Sequence, residues 1–287
     1  MSATTRALLI SPDGMLGQAW QALLTARGWA YDTVTYPAFD ITRKESIAAA
    51  VRHDGWVINC CAFTDVDSAE VREDEATAVN GHGVGWLAER CGEVGATLVH
   101  YSTDYVFSGV ASQPCLTDSA HAPINAYGRS KALGERRIIE SGAAHLLVRT
   151  SWLYAPWGKN FVRTIAQLSK QRAELKVVDD QRGRPTSAEL LAEVTLRLMT
   201  SGAQAAGTDG VFHVCDEGEC TWFDLAREVA AASNPECVVR PCSTAEFPRP
   251  ARRPAYSVLD LSRTTERLGP LPGWRENVRS VLARATP

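Results

Sequence analysis

No run of apolar residues in this chain approaches the roughly 18 that a membrane span needs. The segment after Met1 offers only the short stretch Ala7-Leu8-Leu9-Ile10, too brief for a secretory signal. Charge of one sign is not in excess either. The net charge is −3 with acids and bases mixed along the chain, so no basic field for nucleic acid is present. Internal repeats, low-complexity tracts and long linkers are missing. His53, His82, His100, His121, His145 and His213 form no i, i+4 pair, and each reads as a structural residue rather than a ligand. The eight Cys are scattered, with Cys60-Cys61 adjacent inside an apparent strand, which suits reduced thiols better than a disulfide framework. Cys215/Cys220 and Cys237/Cys242 lack further ligands to complete a zinc pattern, and no metal is expected. These exclusions leave a cytoplasmic protein with a small-molecule partner. At 287 residues and 45% hydrophobic, the chain can bury one large or two modest domains.

What is present is an alternation of apolar strands and amphipathic helices. Ala7–Ile10 is followed by Ser11-Pro12-Asp13-Gly14-Met15-Leu16-Gly17 and a helical segment to about Arg27: strand, tight turn, helix. In a dinucleotide-binding unit such a turn lets backbone approach a pyrophosphate, and the helix N-terminus supplies amide donors. Gly14 and Gly17 fit this pattern, while Ser11 stands where the first glycine would. Further strands are expected at about Ala30–Tyr36, Trp56–Ala62, Ala96–Tyr101 and Leu146–Thr150. Asp40-Ile41 would flank an adenine, and the loop Phe63–Asp67 would face the ligand. One helical stretch from about Ser68 to Cys91 carries Asn80 beside Gly81 and Gly83, a composition that predicts a kink near the cofactor or close local packing. The series implies an α/β fold with a doubly wound, Rossmann-like parallel sheet over residues 1–150. Residues 151–287 are expected to form a smaller C-terminal substrate-binding subdomain, interleaved with additional sheet strands near 175–180 and 211–215.

Two runs carry the chemistry: Ser102-Thr103-Asp104-Tyr105-Val106-Phe107, and Tyr127-Gly128-Arg129-Ser130-Lys131. Tyr127 and Lys131 are four residues apart, hence on one face of a helix. A cation beside a phenol favours the phenolate and lowers its pKa, which makes Tyr127 a candidate general acid. Ser102 and Thr103 close a buried strand, where a parallel sheet presents functional groups, and their hydroxyls can bond a substrate carbonyl.

These strings, with Asn59-Cys60-Cys61-Ala62-Phe63-Thr64, Ala78-Val79-Asn80, Arg149-Thr150-Ser151-Trp152, Asn160-Phe161 and Arg253-Pro254-Ala255-Tyr256, resemble the dTDP-4-dehydrorhamnose reductase family of extended short-chain dehydrogenases/reductases. The resemblance spans nearly the whole chain. It implies reduction of the C4 ketone of a dTDP-4-keto-6-deoxy sugar by NADPH or NADH, in a monomer or homodimer. Hydride would pass from the nicotinamide, Tyr127 would protonate the alkoxide, Lys131 would lower the Tyr pKa and hold the ribose, and Thr103 would bond the reacting oxygen. Ser11, Gly14, Met15, Leu16, Gly17, Asp40, Ile41, Cys60, Cys61, Ala62, Asn80 and Ser102, with Tyr127 and Lys131, would hold the cofactor. Thr64, Asp65, Val66, Thr103, Asp104, Tyr105, Trp152 and Asn160 would line the sugar site, with Arg253 pairing with the pyrophosphate. Cys60-Cys61 depart from the usual Ala pair. Some members hold a metal with acidic residues; Glu189 matches one such position, but Ala19 replaces another.

Three other readings stay open. A dehydratase resembling this group carries Asp-Glu after the Thr, whereas Asp104 is followed by Tyr105. A reductase of an antibiotic or deoxysugar pathway would use the same residues on a related sugar. A regulatory subunit of the same fold would bind nucleotide without catalysis.

Overall fold

A computed structural model of the protein describes residues 6–53, 55–201 and 210–284. At its centre is a six-stranded sheet of β1 (Arg6–Ile10), β2 (Ala30–Val34), β3 (Gly55–Asn59), β4 (Ala96–Thr103), β5 (His145–Thr150) and the strand Val211–His213. Every pairing is parallel, in the order β2-β1-β3-β4-β5 and then 211–213. Successive side chains of a strand point to opposite faces, and the core divides accordingly. Leu9, Ile58, Val99 and Val148 join one apolar cluster, while Ile10, Val57, Leu98 and Leu147 join the other. Helix α1 (Met15–Ala26) and the helix Ala188–Thr200 cover the first face; the helices Lys44–Ala50, Val84–Val94 and Ala126–Ser141 cover the second. A sheet buried on both faces needs such near-continuous apolar strands.

Strand order reverses at β1, with β2 on one side and β3 on the other. The crevice beyond their carboxyl ends is the switch point where doubly wound sheets bind ligands.

In the second half, the helices Phe161–Gln171, Trp222–Ser233 and Trp274–Arg284 enclose a separate core around Val162, Leu225, Trp274 and Val278. The strand Val211–His213 extends the central sheet beside β5. The strand Glu174–Val178, placed by the sequence among the additional strands, pairs instead with Val238–Cys242 in a two-stranded sheet of its own. Its residues alternate between exposed and buried, which suits a strand with one solvated face rather than one covered on both sides. Helix Ala188–Thr200, although it follows the expected boundary at 150, packs on α1 of the first half.

The expected single helix from Ser68 to Cys91 is four segments: Val66–Ala69, Glu73–Thr77, a π-helical Ala78–Gly83, and Val84–Val94. Among the described residues, no helix is long and apolar enough to cross a membrane. None of the eight Cys is in a disulfide.

Candidate active site

A cavity of about 660 Å³ opens at the switch point, within the size range of small-ligand sites. One wall is the turn after β1. Ser11 has a left-handed backbone (φ 59°), the conformation that favours glycine at this place, and Ser11 supplies it at some steric cost. Gly17 is fixed by contact: a Cβ there would lie 2.2 Å from the Ser11 carbonyl oxygen. Between them Gly14, Met15 and Leu16 line the cavity. The N-terminus of α1 has no side-chain cap and no acid in its first turn, so its amides remain open to an anion.

The second wall is the end of β3, where Cys60, Cys61 and Ala62 line the cavity with Thr64 and Val66 of the loop beyond. The third comes from β4. Ser102, Thr103 and Asp104 are almost completely buried at its carboxyl end, and the Ser102 hydroxyl has no hydrogen-bond partner. Thr103 Oγ1 donates to Asp104 Oδ1 (2.9 Å) and accepts from the Tyr105 amide (3.2 Å), which caps a short 3₁₀ turn and turns Tyr105 toward Tyr127. The two rings meet edge to face with centroids 5.7 Å apart.

Helix Ala126–Ser141 places Tyr127 in its first turn and Lys131 one turn later. Asn125 caps it, accepting from the Gly128 amide at 2.8 Å and donating to the Arg252 carbonyl at 2.9 Å. Gly128 is pressed against the 3₁₀ turn, since a Cβ there would lie 2.2 Å from the Tyr105 carbonyl oxygen. Tyr127 is thus held against the loop that carries Thr103.

Charge at the site differs from the sequence expectation in one respect. Burial raises the Tyr127 phenol above its ordinary value, the Asp104 carboxylate and Tyr105 add to the rise, and a hydrogen bond with Thr103 opposes it. Lys131 is not among the main causes, and its Nζ turns into the sheet, donating to the Tyr101 carbonyl (2.6 Å) and meeting His100 Nε2 (3.1 Å). Burial brings Lys131 itself down to about 8, against the opposing pull of Glu135 and Cys61. Burial also pushes Asp104 up to about 6. The result is a phenol that stays protonated, the state a proton donor for ketone reduction requires.

Several expected ligand residues are used otherwise. Asp65 does not line the cavity: it caps Val66–Ala69, accepting from the Ser68 amide (3.0 Å) and hydroxyl (2.7 Å). Asn160 likewise caps Phe161–Gln171 and donates to the carbonyls of Ala155 and Trp157. Asn80 clamps the loop after β3, bonding both backbone groups of Phe63 at 2.9 Å and donating to Ser130 Oγ at 3.0 Å. Asp40 is folded onto Thr42, and Ile41 is buried in the core. Ser11 and Gly17 shape the turn without lining the cavity.

Arg253 flanks a neighbouring cavity of about 500 Å³. It pairs with Asp67 at 3.0 Å, lies 5.9 Å over the Tyr105 ring, and keeps one buried guanidinium nitrogen, Nη1, without a partner. Glu189 is bound by Nη1 and Nη2 of Arg284, each at 2.6 Å.

Trp152 does line the cavity, and it does so under constraint. Its backbone is left-handed (φ 49°), its indole stacks on Trp222 at 3.6 Å, and the space beneath it is open only because residue 183 is glycine. Trp222, Ser151 and Lys159 line the cavity without having been singled out by sequence. Ser151 lies within the string Arg149-Thr150-Ser151-Trp152, but Trp222 is some seventy positions from Trp152. Its only local signal is the capping box of Thr221 and Asp224, which marks a helix start and not a ligand wall.

A doubly wound sheet with an open helix N-terminus at its switch point, and a Thr-Tyr-Lys set facing the same cavity, defines an extended short-chain dehydrogenase/reductase. The chain belongs to the family described as the RmlD substrate binding domain, which matches residues 5–286. It is 41% identical to a dTDP-4-dehydrorhamnose reductase of Burkholderia thailandensis, over 82% of this chain and 84% of that one. It is 37% identical to the Escherichia coli protein of that name, over 96% of each. The crystal structure of a Bacillus anthracis dTDP-4-dehydrorhamnose reductase in complex with NADP superposes with a TM-score of 0.90, at 33% identity, over 98% of this chain and 99% of that one.

Proposed function

We propose that the protein reduces the C4 ketone of a dTDP-4-keto-6-deoxy sugar, converting dTDP-4-dehydro-L-rhamnose to dTDP-L-rhamnose with NADPH or NADH. The observation that carries this reading is the meeting of buried Thr103 with half-buried Tyr127 in the cavity wall, with the phenol kept protonated. The residues present fit a dinucleotide: Gly14–Leu16 offer open helix amides to its pyrophosphate, and Cys61, Ala62 and Lys131 line the depth where its reactive ring would enter. When bound, the nicotinamide supplies the hydride.

Everything else falls to the chain. Thr103 bonds the ketone oxygen, Tyr127 gives that oxygen its proton, and Tyr105 packs the edge of the donor. Trp152 and Trp222 form a flat apolar wall against which a sugar face can stack. Arg253, with its unpartnered Nη1, takes the sugar's pyrophosphate. Residues 1–150 carry the cofactor and 151–287 the sugar, in a cytoplasmic monomer or homodimer.

The test is turnover. With dTDP-4-dehydro-L-rhamnose, the purified protein consumes NAD(P)H, followed at its absorbance, and forms dTDP-L-rhamnose. Turnover of other dTDP-4-keto sugars alone would assign it to another deoxysugar pathway. Tight nucleotide binding without turnover of any of them would support the regulatory reading.

A further inference from the structure

The segment 155–160 joins the two walls of the cavity. It follows the short strand Leu153–Tyr154, next to Trp152, and reaches back to the turn after β1, where Trp157 Nε1 donates to the Met15 carbonyl at 3.0 Å. Asn160 Nδ2 donates to the carbonyls of Ala155 (2.9 Å) and Trp157 (3.2 Å), and Arg163 Nη1 to that of Gly158 (3.2 Å). The backbone of the segment is thereby held in place. Lys159 projects from it into the cavity wall, beside Asp13, Gly14, Met15 and Gln18 around the N-terminus of α1.

Among the described residues the Lys159 ammonium makes no ion pair or hydrogen bond. The other charged side chains lining the cavity are Lys131, bonded into the sheet, Asp104, which is buried, and Asp13, which shares the rim with Lys159 without pairing to it. Charge balance gives the free cation a task. The pyrophosphate of a dinucleotide carries about two negative charges, whereas a helix N-terminus offers the equivalent of about half a positive one. The turn Ser11–Gly17 contains no Lys or Arg, and Asp13 adds a negative charge to it. Arg253 flanks the neighbouring cavity. The missing positive charge at the end of α1 therefore has to come from outside the turn, and Lys159 stands there.

We propose that Lys159 is a cofactor-binding residue supplied by the second half of the chain, its ammonium pairing with the dinucleotide pyrophosphate at the N-terminus of α1. The proposal rests on reading the cavity as a dinucleotide site. Because the segment that carries it is already tied down, only the lysine side chain has to be ordered on binding. The same segment leads to Trp152, so the cofactor closes a link between the α1 turn and the wall assigned to the sugar. Lys159 is exposed, so its pairing is screened by salt and its contribution is moderate.

Calorimetric titration without turnover tests it, using three ligands. ADP-ribose has the pyrophosphate but neither nicotinamide nor 2′-phosphate, NADPH has all three, and dTDP reports the sugar side. Lys159→Ala is expected to weaken ADP-ribose and NADPH alike, by about 3–10-fold, and to leave dTDP within about twofold. Lys159→Arg should keep most of the affinity, and Lys159→Gln should behave like the Ala variant. The gap between parent and Lys159→Gln should shrink as salt rises from about 0.05 to 0.5 M, which a packing effect would not do. A loss confined to NADPH would place the lysine on the 2′-phosphate, a loss confined to dTDP would assign it to the sugar, and unchanged affinity for all three would leave it a solvated surface residue; each of these overturns the proposal. Failure of the unmodified protein to bind either ADP-ribose or NADPH is a separate result, which would sink the dinucleotide reading and this proposal with it. The side chain is exposed, so all three variants are expected to fold.

Discussion

At the scale of single residues, Tyr127 is the group whose loss should be felt in chemistry alone. Its hydroxyl is the proposed proton donor, while its ring is held by Tyr105 and by the first turn of the helix. Tyr127→Phe is expected to lower kcat by about 10²–10⁴-fold, the usual worth of a positioned acid. Cofactor affinity, measured by fluorescence titration, should stay within a factor of two or three of the parent, about 0.6 kcal/mol at most. A matching loss of cofactor affinity would mean that the ring, not the proton, is the contribution. Tyr127, Lys131 and Thr103 were legible in sequence because helical spacing and a strand end are local patterns. The surroundings of Lys131 were not, because its Nζ meets His100 and the Tyr101 carbonyl, which reach it only through packing of the helix against β4. Asp65 and Asn160 were ambiguous in sequence for a related reason. A short polar side chain before a helix looks alike in sequence whether it binds a ligand or caps the helix, and here both cap.

At the scale of elements, the site depends on how closely the catalytic helix lies on the π-helical segment Ala78–Gly83. Gly134 is the point of contact: a Cβ there would lie 2.1 Å from the Asn80 carbonyl oxygen, a backbone atom unable to yield cheaply. Gly134→Ala is therefore expected to destabilise the protein by about 1–3 kcal/mol, read as a lowered urea midpoint. It should also reduce kcat, since Tyr127 and Lys131 ride on the displaced helix. Full activity with an unchanged midpoint would show that the helices can part without cost. The glycines of 81–83 signalled this close packing in sequence, and the structure gives its form as a π-helix. Strands buried on both faces were legible from unbroken apolar runs such as Trp56–Ile58. The strand Val238–Cys242 was not, because it contains Pro241 and leaves most of its residues exposed or half-buried.

At the scale of the whole molecule, one buried ionic cluster ties the catalytic helix to the rest of the chain. Arg149 on β5 holds Glu135 through Nη2 at 2.7 Å and Nε at 3.0 Å, His121 adds a contact at 2.9 Å, and Arg149 Nη1 donates to the Thr117 carbonyl at 2.9 Å. Arg149 also meets His213, which bonds the Asp260 carbonyl at 2.9 Å, so the strand Val211–His213 and the chain around Asp260 join the same network. Burial alone would raise the Glu135 carboxyl, but the hydrogen bonds from His121 and Arg149 outweigh it and hold the group down at about 2, against an ordinary 4.5. A carboxyl depressed in the folded state contributes stability that is complete above the unfolded value and is lost as pH falls through the folded one. Glu135→Gln leaves Arg149 buried beside a neutral partner and is expected to cost about 3–5 kcal/mol at neutral pH. That gap should narrow steadily between pH 4.5 and 2, where Glu135 becomes neutral in the parent too. Burial holds His213 down at about 4, which weakens both proteins as pH falls below 6.5, the variant slightly more because it lacks the Glu135 charge that raises His213. The narrowing of the difference in urea midpoint below pH 4.5, at matched pH, reports the Glu135 carboxylate. A difference that stays flat from pH 7 to 3 would show that the stabilisation comes from packing around Arg149 and not from the carboxylate charge.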